Sequence, residues 1–130
     1  MVIDTSAVVA IFLKEPETPQ LIQRIGAASC RLISAATLLE IGIVLDQRAD
    51  PTLNAPDELS EFLINTKISV VPFTENHARL ARIAYRRYGK GIHKASLNFG
   101  ACMSYALAKS LDQPLLFKGT DFSLTDVRLA

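Results

Sequence analysis

Met1-Val2-Ile3-Asp4-Thr5-Ser6-Ala7 opens the chain with an apolar run, one acid, two hydroxyl residues and a helix former. An unbroken apolar run suits a short strand buried on both faces, and Asp before Thr-Ser-Ala is a good helix start. The stretch therefore reads as a strand over 1–3 that passes directly into a helix over 7–13. It leaves a carboxylate at the carboxyl end of the strand.

The same unit recurs along the chain. Pro16 suits the first turn of a second helix ending near Ala28. Residues 31–34 read as a second strand, and Thr37 begins a helix to about 49. A turn-rich connector occupies 50–56, followed by helical spacing of Leu59, Phe62 and Leu63 over 57–66. The β-branched run 68–73 reads as a third strand. Thr74-Glu75-Asn76 caps a basic amphipathic helix with Leu80, Ala81, Ile83 and Ala84 in its core stripe, and Gly89-Lys90-Gly91 ends it. A mostly apolar helix over 97–111 leads to a fourth strand over 114–117, and 127–129 reads as a short fifth. Strands alternating with helices give an α/β fold with helices on both faces of a central parallel sheet of four to five strands. One domain is expected over 1–130.

A chain of 130 residues with 49% apolar content has enough material for a full core and is not a disordered chain. No stretch nears the roughly 18 apolar residues that span a bilayer. Asp4 interrupts the N-terminus before any leader pattern, so a cytoplasmic protein is expected. Cys30 and Cys102 fit no metal-ligand spacing and read as two reduced, buried thiols. The net charge is +1, yet no acid occurs between Asn76 and Leu111, where seven basic residues stand. Arg79, Arg82, Arg86, Arg87, Lys90, Lys94 and Lys109 either form a solvated helix face or, with Tyr85 and Tyr88 interleaved, contact nucleic acid.

In a parallel α/β sheet ligands bind beyond the carboxyl ends of the strands. Asp4 follows the first strand, Glu40 lies in the helix after the second, and Asp121 follows the fourth. Asp4 suits a helix cap and a metal carboxylate equally. Glu40 matches a capping box over Thr37-Leu38-Leu39-Glu40, but it is the only charge between Arg31 and Asp46. An acid so surrounded is expected to be buried, and a cation would offset the cost of burying it. Asp121 reads as a loop acid capping the short turn Gly119-Thr120-Asp121 or as a member of the cluster. Asp46, Asp57, Glu58 and Glu61 read as surface acids, and Asp126 as an outer acid or, from its place before the last strand, as structural. His77 and His93 are too few for zinc, so oxygen ligands point to a hard cation, magnesium or manganese.

Four segments in order resemble the PIN-domain ribonuclease toxins of type II toxin–antitoxin systems, the VapC family. They are Met1-Val2-Ile3-Asp4-Thr5-Ser6-Ala7, Ser34-Ala35-Ala36-Thr37-Leu38-Leu39-Glu40, Tyr88 to Ala95 with Leu97-Asn98-Phe99-Gly100, and Leu115 to Phe122. The resemblance covers nearly the whole chain and implies a three-layer α/β/α sandwich. It also implies an acid after Leu97-Asn98-Phe99-Gly100, where this chain has Ala101. The loss reads as a disabling substitution or as a natural, weakened homologue.

The family pattern makes Asp4 and residue 101 the main ligands of Mg2+ (or Mn2+), with Glu40 and Asp121 completing the catalytic set by holding metal-bound water or a second ion, which makes Asp121 a metal residue too. Ser6 and Thr120 would supply supporting hydrogen bonds, and Arg86, Arg87, Lys90 and Lys94 would contact RNA phosphates. The implied activity is metal-dependent endoribonuclease cleavage, impaired here by Ala101. The implied partners are an antitoxin protein, an RNA substrate, operator DNA through the antitoxin complex, and a second copy in a homodimer, with no membrane. A catalytically silent module acting through antitoxin binding is the alternative. A phosphatase or receiver-type fold also clusters acids at this edge. Ser6 stands where such a phosphatase needs a second Asp, and Pro72-Phe73 where a receiver needs its acceptor.

Overall fold

The computed structural model describes residues 1–48 and 55–130. Four strands, β1 (Val2–Ile3), β2 (Leu32–Ser34), β3 (Ser69–Val71) and β4 (Leu115–Leu116), form one parallel sheet in the order β3-β2-β1-β4. Val2 is in register with Leu32 on one side and Leu115 on the other. Among the described residues six helices connect the strands: α1 (Thr5–Phe12), α2 (Thr18–Ala27), α3 (Ala35–Arg48), α4 (Ala55–Thr66), α5 (Glu75–Tyr88) and α6 (Phe99–Ser110), with a 3-10 turn over Asp121–Leu124.

Side-chain alternation along the strands divides the interior into two cores. Val2 and Leu115 join the core under α5 and α6, while Ile3, Ile33 and Leu116 join the core under α1, α2, α3 and α4. The chain runs from β1 to β2 on one side and reaches β4 on the other, so strand order reverses between β1 and β4. Such a switch point leaves a crevice at the carboxyl edge.

Several sequence expectations shift. The second helix begins at Thr18 with Pro19 in its first turn, not at Pro16. The third helix starts at Ala35, two residues before Thr37, and the sixth starts after Asn98, its cap, rather than at Leu97. β3 is an edge strand with Val70 43% exposed, so burial on both faces does not extend to it. The expected fifth strand is a single bridge between Leu115 and Leu129. Ile83, placed in the core stripe of α5, is exposed, and the buried stripe runs instead through His77, Ala81, Ala84 and Tyr88. Cys102 is buried as expected, and burial pushes its thiol up to about 11, but Cys30 is exposed. The expected connector lies in part outside the described residues, and α4 begins at Ala55. Among the described residues no helix is long and apolar enough to cross a membrane.

Candidate active site at the carboxyl edge of the sheet

Asp4 stands at the joint between β1 and α1 and is held there by its backbone and by one of its two oxygens. Its amide donates to the Leu116 carbonyl at 2.9 Å, which fixes it against β4. Its Oδ2 accepts from the Ser6 amide at 2.9 Å and the Ser6 hydroxyl at 2.7 Å, which makes it the N-cap of α1. Ser6 Oγ in turn accepts from the Lys118 amide at 3.0 Å, just past β4. The other oxygen, Oδ1, is buried with no hydrogen-bond partner among the described residues. Cap and ligand are thus compatible roles, because each needs a different oxygen. A buried carboxylate oxygen with no donor carries a desolvation penalty on the order of 1–3 kcal/mol or more, which a cation would relieve.

Glu40 reaches the same place from α3. It is half-buried and accepts a hydrogen bond from the Thr5 hydroxyl. Its carboxylate lies against the α-carbon of Gly100, so closely that a side-chain carbon there would overlap it. Burial raises the Glu40 carboxyl above its ordinary value, the Thr5 hydrogen bond partly offsets this, and the negative charge of Asp4 adds to the rise. The capping box does not form. Thr37 lies inside α3, and its hydroxyl pairs with Ser104 in the buried layer between α3 and α6, 3.2 Å away. The freed Glu40 side chain extends toward α1 instead.

Asp121 opens the 3-10 turn after β4 and is exposed. Ala101 lies in the first turn of α6, half-buried, with its amide donating to Asn98 Oδ1 at 2.8 Å. Asp4, Ser6, Glu40, Ala101 and Asp121 all line one cavity of about 250 Å³. Thr5, Asn98 and Lys118 also line it, and the sequence reading missed all three. Asn98 carried a usable signal, being a cap residue directly before the segment that holds position 101. Among the described residues no group of three His, Cys, Asp or Glu side chains stands close enough to hold an ion. The residues fit a hard cation in part: the unpartnered Asp4 oxygen and the Glu40 carboxyl, raised chiefly by burial, supply two oxygen donors, and a third inner donor is missing among the described residues.

The other expected residues lie apart from the cavity. Thr120 is exposed, makes no cap bond at the start of the 3-10 turn and does not line the cavity. Arg86, Arg87, Lys90 and Lys94 are exposed, and none of them lines it. Arg87 stands 3.7 Å from Asp126 and stacks over the Tyr88 ring at 5.0 Å, so its charge is partly engaged. Asp126 is structural, as expected: it accepts from the Tyr105 hydroxyl at 2.6 Å and from Lys109 at 3.3 Å.

The PIN domain family model matches residues 1–127. The chain is 47% identical to Ribonuclease VapC28 of Mycobacterium tuberculosis, covering all of this chain and 97% of that protein. It is 48% identical to Ribonuclease VapC of Mycolicibacterium smegmatis, covering 98% and 97%. The solved structure of Mycobacterium tuberculosis VapC20 superposes with a TM-score of 0.77 at 16% identity, covering 99% of this chain and 97% of that one. A toxin–antitoxin complex from Klebsiella pneumoniae superposes at 0.71 and 15% identity, over 99% and 95%. The structural likenesses show the fold, the sequence likenesses narrow it, and together they establish that the chain belongs to the PIN-domain family, among the VapC ribonucleases.

Proposed function

We propose that the chain is the toxin of a type II toxin–antitoxin pair, built as a magnesium-dependent endoribonuclease and impaired at Ala101. The buried, unpartnered Oδ1 of Asp4 carries this reading. It belongs to an acid lining the cavity that also receives Glu40, Asp121 and position 101. The names of the sequence relatives support ribonuclease activity, and one structural neighbour is titled as a sarcin-ricin loop cleaving toxin. The neighbour solved as a toxin–antitoxin complex supports an antitoxin partner, and the family resemblance supports a homodimer and operator binding through the antitoxin.

Asp4 and Glu40 would hold the cation, with Asp121 at the mouth of the cavity. When bound, Mg2+ (Mn2+ is the chemical alternative) would acidify water and neutralise charge on a phosphodiester. The chain's own groups prepare the site. Ser6 fixes the rotation of the Asp4 carboxylate, and Thr5 fixes that of Glu40. Arg86, Lys90 and Lys94, outside the cavity, would attract the RNA backbone without reading its sequence.

A second reading rests on the same site. With alanine at 101 and no three acids close enough together to hold an ion among the described residues, the chain can act through antitoxin binding alone. Cleavage of an RNA panel by this chain and by its Ala101→Asp variant, with magnesium and with chelator, separates the two. Cutting by the variant alone, and only with metal, supports the nuclease. Failure of both, with antitoxin binding intact, selects the silent module.

A further inference from the structure

We infer that Lys118 is the cavity's own phosphate-binding cation, held in place by Glu15 and Glu17. This rests on the reading of the cavity as an RNA-cleaving site. Lys118 is the single basic residue lining it, among the described residues. The four cations expected to contact RNA are all absent from its walls. A site walled by Asp4, Glu40 and Asp121 repels a phosphodiester, so a fixed positive charge at its edge has an evident use.

The geometry fixes that charge twice. The Lys118 backbone amide donates to Ser6 Oγ, and the Ser6 hydroxyl donates to Asp4 Oδ2, so the lysine's main chain is two hydrogen bonds from the proposed ligand. Its ammonium donates to Glu15 and lies 3.6 Å from Glu17, both in the turn between α1 and α2. The lysine side chain remains 34% exposed, and of the three donors of its ammonium Glu15 takes one and Glu17 at most a second, which leaves one for a further acceptor. The main-chain bond to Ser6 would place a lysine that only ties the turn to β4 on the same wall. The distinction is measurable, because a phosphate contact sets the salt dependence of RNA binding and a structural tie does not.

The test is equilibrium binding of a labelled single-stranded RNA of mixed sequence to this chain in chelator, across a salt series. Lys118→Met is expected to weaken binding about three- to tenfold and to flatten the log–log salt slope by about 0.7, the value for one phosphate contact on a single strand. Lys118→Arg is expected to keep the slope. If Lys118→Met does not fold, Lys118→Met combined with Glu15→Gln and Glu17→Gln leaves no carboxylate without its cation. That triple variant raises the net charge from +1 to +2, since one positive and two negative charges are lost. General electrostatics then favours tighter binding, whereas loss of a phosphate contact gives weaker binding and a flatter slope. Parent-like affinity and slope in the folded single variant, or tighter binding by the triple variant, overturns the assignment while leaving the nuclease reading intact. A parent chain that binds no RNA at any salt, with magnesium as well as in chelator, overturns both.

Discussion

At the scale of single residues, Asp4 shows how one side chain serves fold and chemistry together. Its two oxygens divide the work, one capping α1 and one left buried without a donor. Sequence alone posed cap and ligand as rivals, because a motif names a residue and not its separate oxygens. Gly100 makes a sharper case. Alanine is favoured over glycine inside a helix by about 1 kcal/mol, so glycine here opposes propensity. The Glu40 carboxylate occupies the space a side chain would need. Because the obstructing atoms end a flexible side chain, Gly100→Ala is expected to leave thermal stability within about 1 kcal/mol of the parent. In the Ala101→Asp background the same change is expected to lower cleavage by about tenfold or more, by moving Glu40 off its position. Denaturation and single-turnover cleavage measured side by side check this; a stability loss with cleavage unchanged contradicts it.

At the scale of elements, the βα units were legible because apolar runs followed by capping residues mark them directly. The start of α3 was not. Thr37 looked like a cap, yet its partner Ser104 is 67 residues away on α6, a relation no local pattern encodes. Ile83 misled for a related reason. Helical spacing fixes a stripe only to within one turn, and α6 packs on the face through Ala81 and Ala84. Tyr105 ties α6 to the segment before Val127 through Asp126. The tyrosine hydrogen bond, first among the causes, holds the Asp126 carboxyl below its ordinary value, while burial and that same bond hold the Tyr105 hydroxyl above its own. A lowered carboxyl stabilises the fold above the unfolded value of 3.8 and loses that contribution as pH falls through the folded value. A raised phenol stabilises below 10.0 and loses that contribution as pH rises through its folded value. Tyr105→Phe is therefore expected to cost about 1 kcal/mol, with Asp126 partly exposed, on a plateau between these limits and less on either side. Denaturation midpoints across pH check it, and a difference that grows in acid contradicts it.

At the scale of the whole molecule, the convergence of Asp4, Glu40, Asp121 and position 101 followed from topology. Parallel strands put their carboxyl ends on one edge, and the order β3-β2-β1-β4 opens a crevice between β1 and β4 there. The charge pattern was a poorer guide. The acid-free window pointed to α5 and the loop after it. The cation on the cavity wall is Lys118, whose partner Glu15 is 103 residues away in sequence. Binding of magnesium or manganese, followed by calorimetry on this chain and on Ala101→Asp, tests the central claim most directly. If position 101 is the missing donor, the variant has the lower denaturation midpoint in chelator, because a third carboxylate adds repulsion beside Asp4 and Glu40. It then binds the metal at least about tenfold more tightly than this chain and regains its midpoint on loading. Equal metal affinity in the two proteins, or no binding by the variant, would contradict the account.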